Sequence, residues 1–164
     1  MKEPYLELAE RIIGELADLE ASVRKSLKSW ATARQGATDQ DVYLDSVALN
    51  MHAFYSGLEK LFELIAEHID GSLPEGAVWH RDLLSRMADD LPGVRPAVIS
   101  KETARELDQY RRFRHLVRNV YATNLKPERI SELVEAVPET WSKVSAELQA
   151  FSEFLKDLSR VMHE

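Results

Sequence analysis

An all-α, up-down bundle of about five to six helices is the fold this sequence predicts, on three observations. Apolar residues recur at three- and four-residue spacing along most of the chain. No long stretch alternates as a half-buried strand does. Glycine and proline gather mainly between the periodic segments, where turns are needed.

The first helix is expected from Pro4, a residue suited to an opening helical turn, to about Ala33. Its apolar stripe is Leu8, Ile12, Leu16, Leu19, Val23, Leu27 and Trp30. A polar loop, Arg34 to Asp39, follows with Gly36 as its breaker. The second helix carries Val47, Met51, Phe54, Leu58, Leu61, Phe62, Ile65 and Ile69 and stops at Asp70-Gly71. A shorter third helix holds Trp79, Leu83, Leu84 and Met87, and Pro92, Gly93 and Pro96 make the next connection irregular. The fourth is expected from Ser100, an N-cap with Glu102 in the first turn, to about Ala122. After a turn at Asn124–Pro127, a short helix from Glu128 to Ala136 meets Pro138. Proline lacks the backbone donor, so it is expected to break or kink the chain there. The last helix carries Trp141, Val144, Leu148, Phe151, Leu155, Leu158 and Val161. Trp30, Trp79 and Trp141 lie on apolar stripes and are expected to fill the core.

With 164 residues the chain can bury a real core, and no repeat or domain boundary interrupts it, so one helical domain over 1–164 is expected. The absence of cysteine excludes disulfides, thiol catalysis and thiolate metal sites, and it suits a reducing cytoplasm. The N-terminus has no apolar h-region, and no apolar run approaches the length of a membrane span. No glycine-rich phosphate loop and no Gly-x-Ser-x-Gly occurs, so no cofactor is expected. No Glu-x-x-His pair occurs either, so a di-iron bundle and a metal centre are not expected. Glu59, Glu63 and Glu67 recur every four residues and read as a solvated acidic ridge, or as the wall of a cleft opposite the arginines.

The formal net charge is -7, which argues against a general nucleic-acid coat. Against that balance, Arg111, Arg112, Arg114, His115 and Arg118 crowd together between Tyr110 and Tyr121. Helical projection gathers Phe113, Leu116, Val117 and Val120 on a core side, and Arg111, Arg114, His115, Arg118 and Tyr121 on the other. No carboxylate lies between Asp108 and Glu128. Such a face either makes salt bridges to neighbouring helices or meets an anion. For an anion, arginine's planar fork suits phosphate.

The segment Phe113-Arg114-His115-Leu116-Val117-Arg118-Asn119-Val120-Tyr121 resembles the signature of the HEPN superfamily in its HepT-like branch. That signature is an arginine, four residues, a histidine, one residue and a tyrosine. Arg114 falls on the arginine and Tyr121 on the tyrosine, while Asn119 stands at the histidine position. Asn50 to Ile65, with Phe54-Tyr55-Ser56-Gly57-Leu58-Glu59-Lys60, also resembles the second helix of such proteins.

The resemblance implies a metal-independent ribonuclease toxin acting as a homodimer, with two basic helices facing across the interface. Arg114 would stabilise the pentavalent phosphorane of RNA cleavage, helped by Arg111 and Arg118 as RNA-binding residues. The resemblance further implies a minimal nucleotidyltransferase antitoxin as partner, attaching adenylate to Tyr121. The alternative for Tyr121 is a buried hydroxyl with a hydrogen-bond partner. Asn119 can orient a phosphate or ribose but carries no titrating proton. His115, on the same helix, either takes over proton transfer or is structural. If the site does not cut, the chain is a binding module of the same fold for RNA or a nucleotidyltransferase.

Overall fold

The computed structural model describes residues 4–36, 38–119 and 127–163, with the backbone alone at Arg118 and Asn119. Five α-helices follow one another among these residues: α1 (Pro4–Arg34), α2 (Gln40–Ile65), α3 (Trp79–Met87), α4 (Lys101–Asn119) and α5 (Pro127–Met162). A π-helical turn, Ala66–Asp70, extends α2 and ends at Gly71, whose φ of 91° is the left-handed conformation that glycine adopts without strain. The fold is an all-α bundle. No helix among the described residues is long and apolar enough to cross a membrane.

The predicted stripes of α1 and α2 form much of the core. Leu8, Ile12, Leu19 and Val23 pack with Met51, Phe54, Leu58, Phe62 and Ile65, and α5 adds Val144, Leu148, Phe151 and Leu155. Helix α1 lies along both α2 and α5, and α4 packs on α2, α3 and α5. The α1–α2 approach is tight at Gly57, where an added Cβ would meet Leu19 Cδ2 at 2.8 Å. The short α4 start is capped as expected: Ser100 Oγ accepts from the Thr103 backbone N–H at 3.0 Å. Between α4 and α5, Tyr110 donates its buried hydroxyl to the Leu133 carbonyl at 2.7 Å.

The structure corrects three expectations. Pro138 neither breaks nor separates two helices, because α5 runs through it without interruption. An interior proline costs about 3 kcal/mol. Burial of Val134, Val137, Val144 and Leu148 on both sides of it offsets that cost by keeping one apolar stripe. The three tryptophans are half-buried against the core rather than inside it, which suits side chains this large. Leu116, assigned to the core side of α4, is 41 % exposed. The buried positions of α4 are Thr103, Leu107, Tyr110 and Phe113, with Val117 partly buried. That stripe leaves Leu116 outside and turns Arg114 inward.

An unforeseen polar pin closes the α3 region. Arg95 is fully buried and donates to both carboxylate oxygens of Asp70, at 2.6 and 2.9 Å. Its remaining N–H groups reach the carbonyls of Asp89 at 3.0 Å, Pro96 at 3.1 Å and Arg86 at 3.3 Å. The guanidinium therefore satisfies all its donors, and it ties the end of α2's extension to the end of α3.

Candidate functional site

A cleft of about 610 Å³ opens where α2, α4 and the entry to α3 meet. Glu59 lies at its base, Gly76 to Arg81 form one wall, and Arg111, Arg114 and His115 form the other. Three guanidiniums (Arg81, Arg111, Arg114) face one carboxylate (Glu59) among these lining residues. That leaves an excess of two positive charges before either histidine is protonated. In a chain of net charge -7 these lining residues are locally cationic, although Arg111 and Arg81 also meet Asp108 and Asp82 just outside the lining.

Glu59 organises the cleft. It is only 4 % exposed, and a buried carboxylate needs compensating partners. Arg114 supplies one, with its Nη1 2.7 Å from Glu59 Oε1. His80 supplies the other, with Nδ1 2.9 Å from Glu59 Oε2. The Arg114 guanidinium also lies 5.9 Å from the centre of the Tyr55 ring, within cation–π range. Tyr55 is itself buried, and its hydroxyl has no hydrogen-bond partner among the described residues. Burial, followed by the charge of Glu59, raises its pKa far above the ordinary tyrosine value. The phenol therefore stays neutral beneath the guanidinium.

The walls differ in how freely their charges act. Arg111 is held by Asp108 at 2.7 Å, one turn back on α4, and Arg112 by the same carboxylate at 2.9 Å. Part of the basic face thus makes the salt bridges anticipated as one alternative. Arg111 remains on the cleft wall despite its pairing. On α3, the Trp79 and His80 rings stack with centroids 3.7 Å apart, which fixes the imidazole plane beside Glu59. Glu63, one turn beyond Glu59, has a pKa raised above the ordinary 4.5, first by desolvation and then by the Glu59 charge. The acidic ridge is therefore graded: Glu59 is buried and paired, Glu63 is half-buried, and Glu67 is exposed.

Of the residues the sequence singled out, the structure brings Arg111, Arg114 and His115 into one cleft. The side chains of Arg118 and Asn119, and the whole of Tyr121, lie outside the described residues. Arg114 was expected on the solvent side of α4; its side chain is 12 % exposed and points to Glu59. The acidic ridge was anticipated as one alternative for a wall opposite the arginines, but the direct Glu59–Arg114 pair, and His80, Trp79 and Arg81 as the facing wall, were not foreseen. For Glu59 a signal existed. It continues the buried stripe Tyr55, Phe62 and Ala66, and a carboxylate in such a stripe demands a cation. No sequence pattern linked α3 to α4. Among the described residues, no group of three or more His, Cys, Asp or Glu side chains is placed to hold a metal ion.

The family model described as HepT-like protein matches residues 46–155, more than half of the chain. No curated protein and no solved structure matches it.

Proposed function

Because this chain belongs to the HepT-like protein family, we propose that it is the ribonuclease half of a toxin–antitoxin pair and cuts RNA without a metal ion. The observation that carries this reading is Arg114, fixed by the buried carboxylate of Glu59 at the base of a cleft with excess positive charge. A guanidinium held in place before substrate arrives stabilises a phosphorane with little reorganisation. Arg111 and Arg118 add phosphate contacts, Asn119 orients the phosphate or ribose, and His115 supplies a proton that an amide cannot. The test is cleavage of RNA by the purified protein in chelator, with Arg114 variants alongside.

The functional unit in this reading is a homodimer with the two α4 helices opposed, each contributing a basic face to a composite site. Charge reversal by Arg118→Glu is expected to shift the protein from dimer to monomer in sedimentation velocity. An unchanged dimer would reject α4 as the interface. All of 1–164 acts as one domain, since α1, outside the matched segment, shares its core with α2 and α5. In this reading the protein acts in the cytoplasm, where its RNA substrate is found.

The partner in the same reading is a minimal nucleotidyltransferase antitoxin that transfers adenylate to Tyr121. An added phosphate brings negative charge to the basic end of α4 and competes with substrate for the arginines. Incubation with that enzyme and ATP is expected to add adenylate mass to the wild-type chain and none to Tyr121→Phe. Equal labelling of both would remove Tyr121 from the mechanism.

A second reading is a catalytically inert HEPN-fold module that docks RNA or the nucleotidyltransferase. It is favoured by Asn119, which stands where the family signature has its histidine. It predicts RNA or partner binding with no cleavage.

A further inference from the structure

Cleavage of RNA by its own 2′-hydroxyl requires two proton transfers, one from the attacking oxygen and one to the leaving oxygen. The motif position that would supply a histidine holds Asn119, and His115 accounts for one transfer only. A second histidine lines the same cleft from a different helix. His80 stands at the start of α3, with its side chain 33 % exposed and its Nδ1 2.9 Å from Glu59 Oε2.

We infer that His80, oriented by Glu59, is the base that takes the 2′-hydroxyl proton. This rests on the ribonuclease reading above. Three features of the geometry support it. With Nδ1–H donated to the carboxylate, the neutral ring presents Nε2 as its basic nitrogen. A carboxylate behind an imidazole fixes its tautomer and orientation and stabilises the imidazolium as it forms. Stacking on Trp79 holds the ring plane. The same carboxylate also holds Arg114 through its other oxygen, so one buried side chain sets the base and the phosphate-binding cation in a common frame. Glu59 acts here as a positioning residue.

Nε2 of His80 accepts the proton from the 2′-oxygen, which forms its bond to phosphorus. The bond from phosphorus to the 5′-oxygen breaks, and protonated His115 gives the leaving oxygen its proton. The products are a 2′,3′-cyclic phosphate and a 5′-hydroxyl, and solvent returns both histidines to their starting states. The charged and titratable groups around His80 are Glu59 and Glu63 from α2, Arg81 from its own helix, and Arg111, Arg114 and His115 from α4.

The experiment is steady-state cleavage of an RNA oligonucleotide in EDTA by the full chain, comparing wild type with His80→Ala, with and without added imidazole. His80→Ala is expected to lower kcat about a hundredfold or more and to leave KM nearly unchanged. Imidazole should restore part of the rate, more strongly as pH rises and its free base accumulates. Merely removing a structural contact would not produce that rescue. His80→Gln keeps bulk against Trp79 and an amide for Glu59, so it serves where the alanine variant melts early. Wild-type kcat in either variant would overturn the inference and leave the ribonuclease reading standing. A lowered kcat without imidazole rescue would also overturn His80 as the base. Wild-type protein that leaves RNA intact would overturn the reading itself, and the inference with it.

Discussion

Arg114→Lys is expected to lower the rate of RNA cleavage about a hundredfold while the protein stays folded. Lysine keeps a positive charge within reach of Glu59 but loses the planar fork that bonds a carboxylate and a phosphoryl oxygen together. Loss of one fixed donor to the transition state typically costs about a hundred- to a thousandfold in kcat. Arg114→Ala should be slower still, and it carries a second penalty. Glu59 is 4 % exposed and would then keep only the His80 imidazole N–H as a partner among the described residues. Stranding a buried charge costs about 3–5 kcal/mol. Replacing both members, Arg114→Met with Glu59→Gln, should recover much of that stability without recovering cleavage. Single-turnover cleavage in EDTA beside a thermal melt separates the two effects. A lysine variant that cuts at the wild-type rate would show that Arg114 holds the fold and takes no part in the reaction.

The second large effect falls on stability. Asp70→Ala is expected to destabilise the protein by about 3–5 kcal/mol, because it leaves the Arg95 guanidinium buried without its counter-ion. Asp70 and Arg95 are both almost wholly buried, so solvent does not screen this pair. The remaining bonds of Arg95 to the carbonyls of Asp89, Pro96 and Arg86 cannot neutralise its charge. Replacing both residues with apolar side chains of similar volume should cost far less. Urea unfolding with unchanged slope is the measurement. A shift of under about 1 kcal/mol for Asp70→Ala would mean that the region relaxes enough to hydrate Arg95. The pin has a functional side as well. It anchors the chain on either side of α3, which carries Trp79 and His80 to the cleft, so its loss should depress activity at temperatures below global unfolding.

The helices were legible where periodicity and punctuation agree. Asp70-Gly71 closes the extension of α2 and Ser100 caps α4, each for a reason local to a few residues. Pro138 misled because the local rule against interior proline is weaker than the apolar stripe running past it. Leu116 and Arg114 misled together. Hydrophobicity alone assigns the leucine inward and the arginine outward, whereas packing on α2 reverses both. The arginine turns in because a carboxylate waits there; the stripe marks Glu59 as needing a cation, but nothing local says which residue, 55 positions away, supplies it. Arg95 was invisible for the same reason. Its five bonds depend on loop geometry around prolines and a glycine, which the sequence marks only as irregular. The cleft itself follows from the entry to α3 meeting α2 and α4, a tertiary fact with no signature in periodicity.

If the cleft around Arg114 cuts RNA by acid–base chemistry of its own side chains, the new RNA termini carry its mark. The most direct measurement is to incubate end-labelled RNA with the wild-type full chain in EDTA and identify the new termini. Cleavage that leaves 2′,3′-cyclic phosphate and 5′-hydroxyl ends is expected. Intact RNA, or cleavage that requires a divalent ion and leaves a 5′-phosphate, would contradict it.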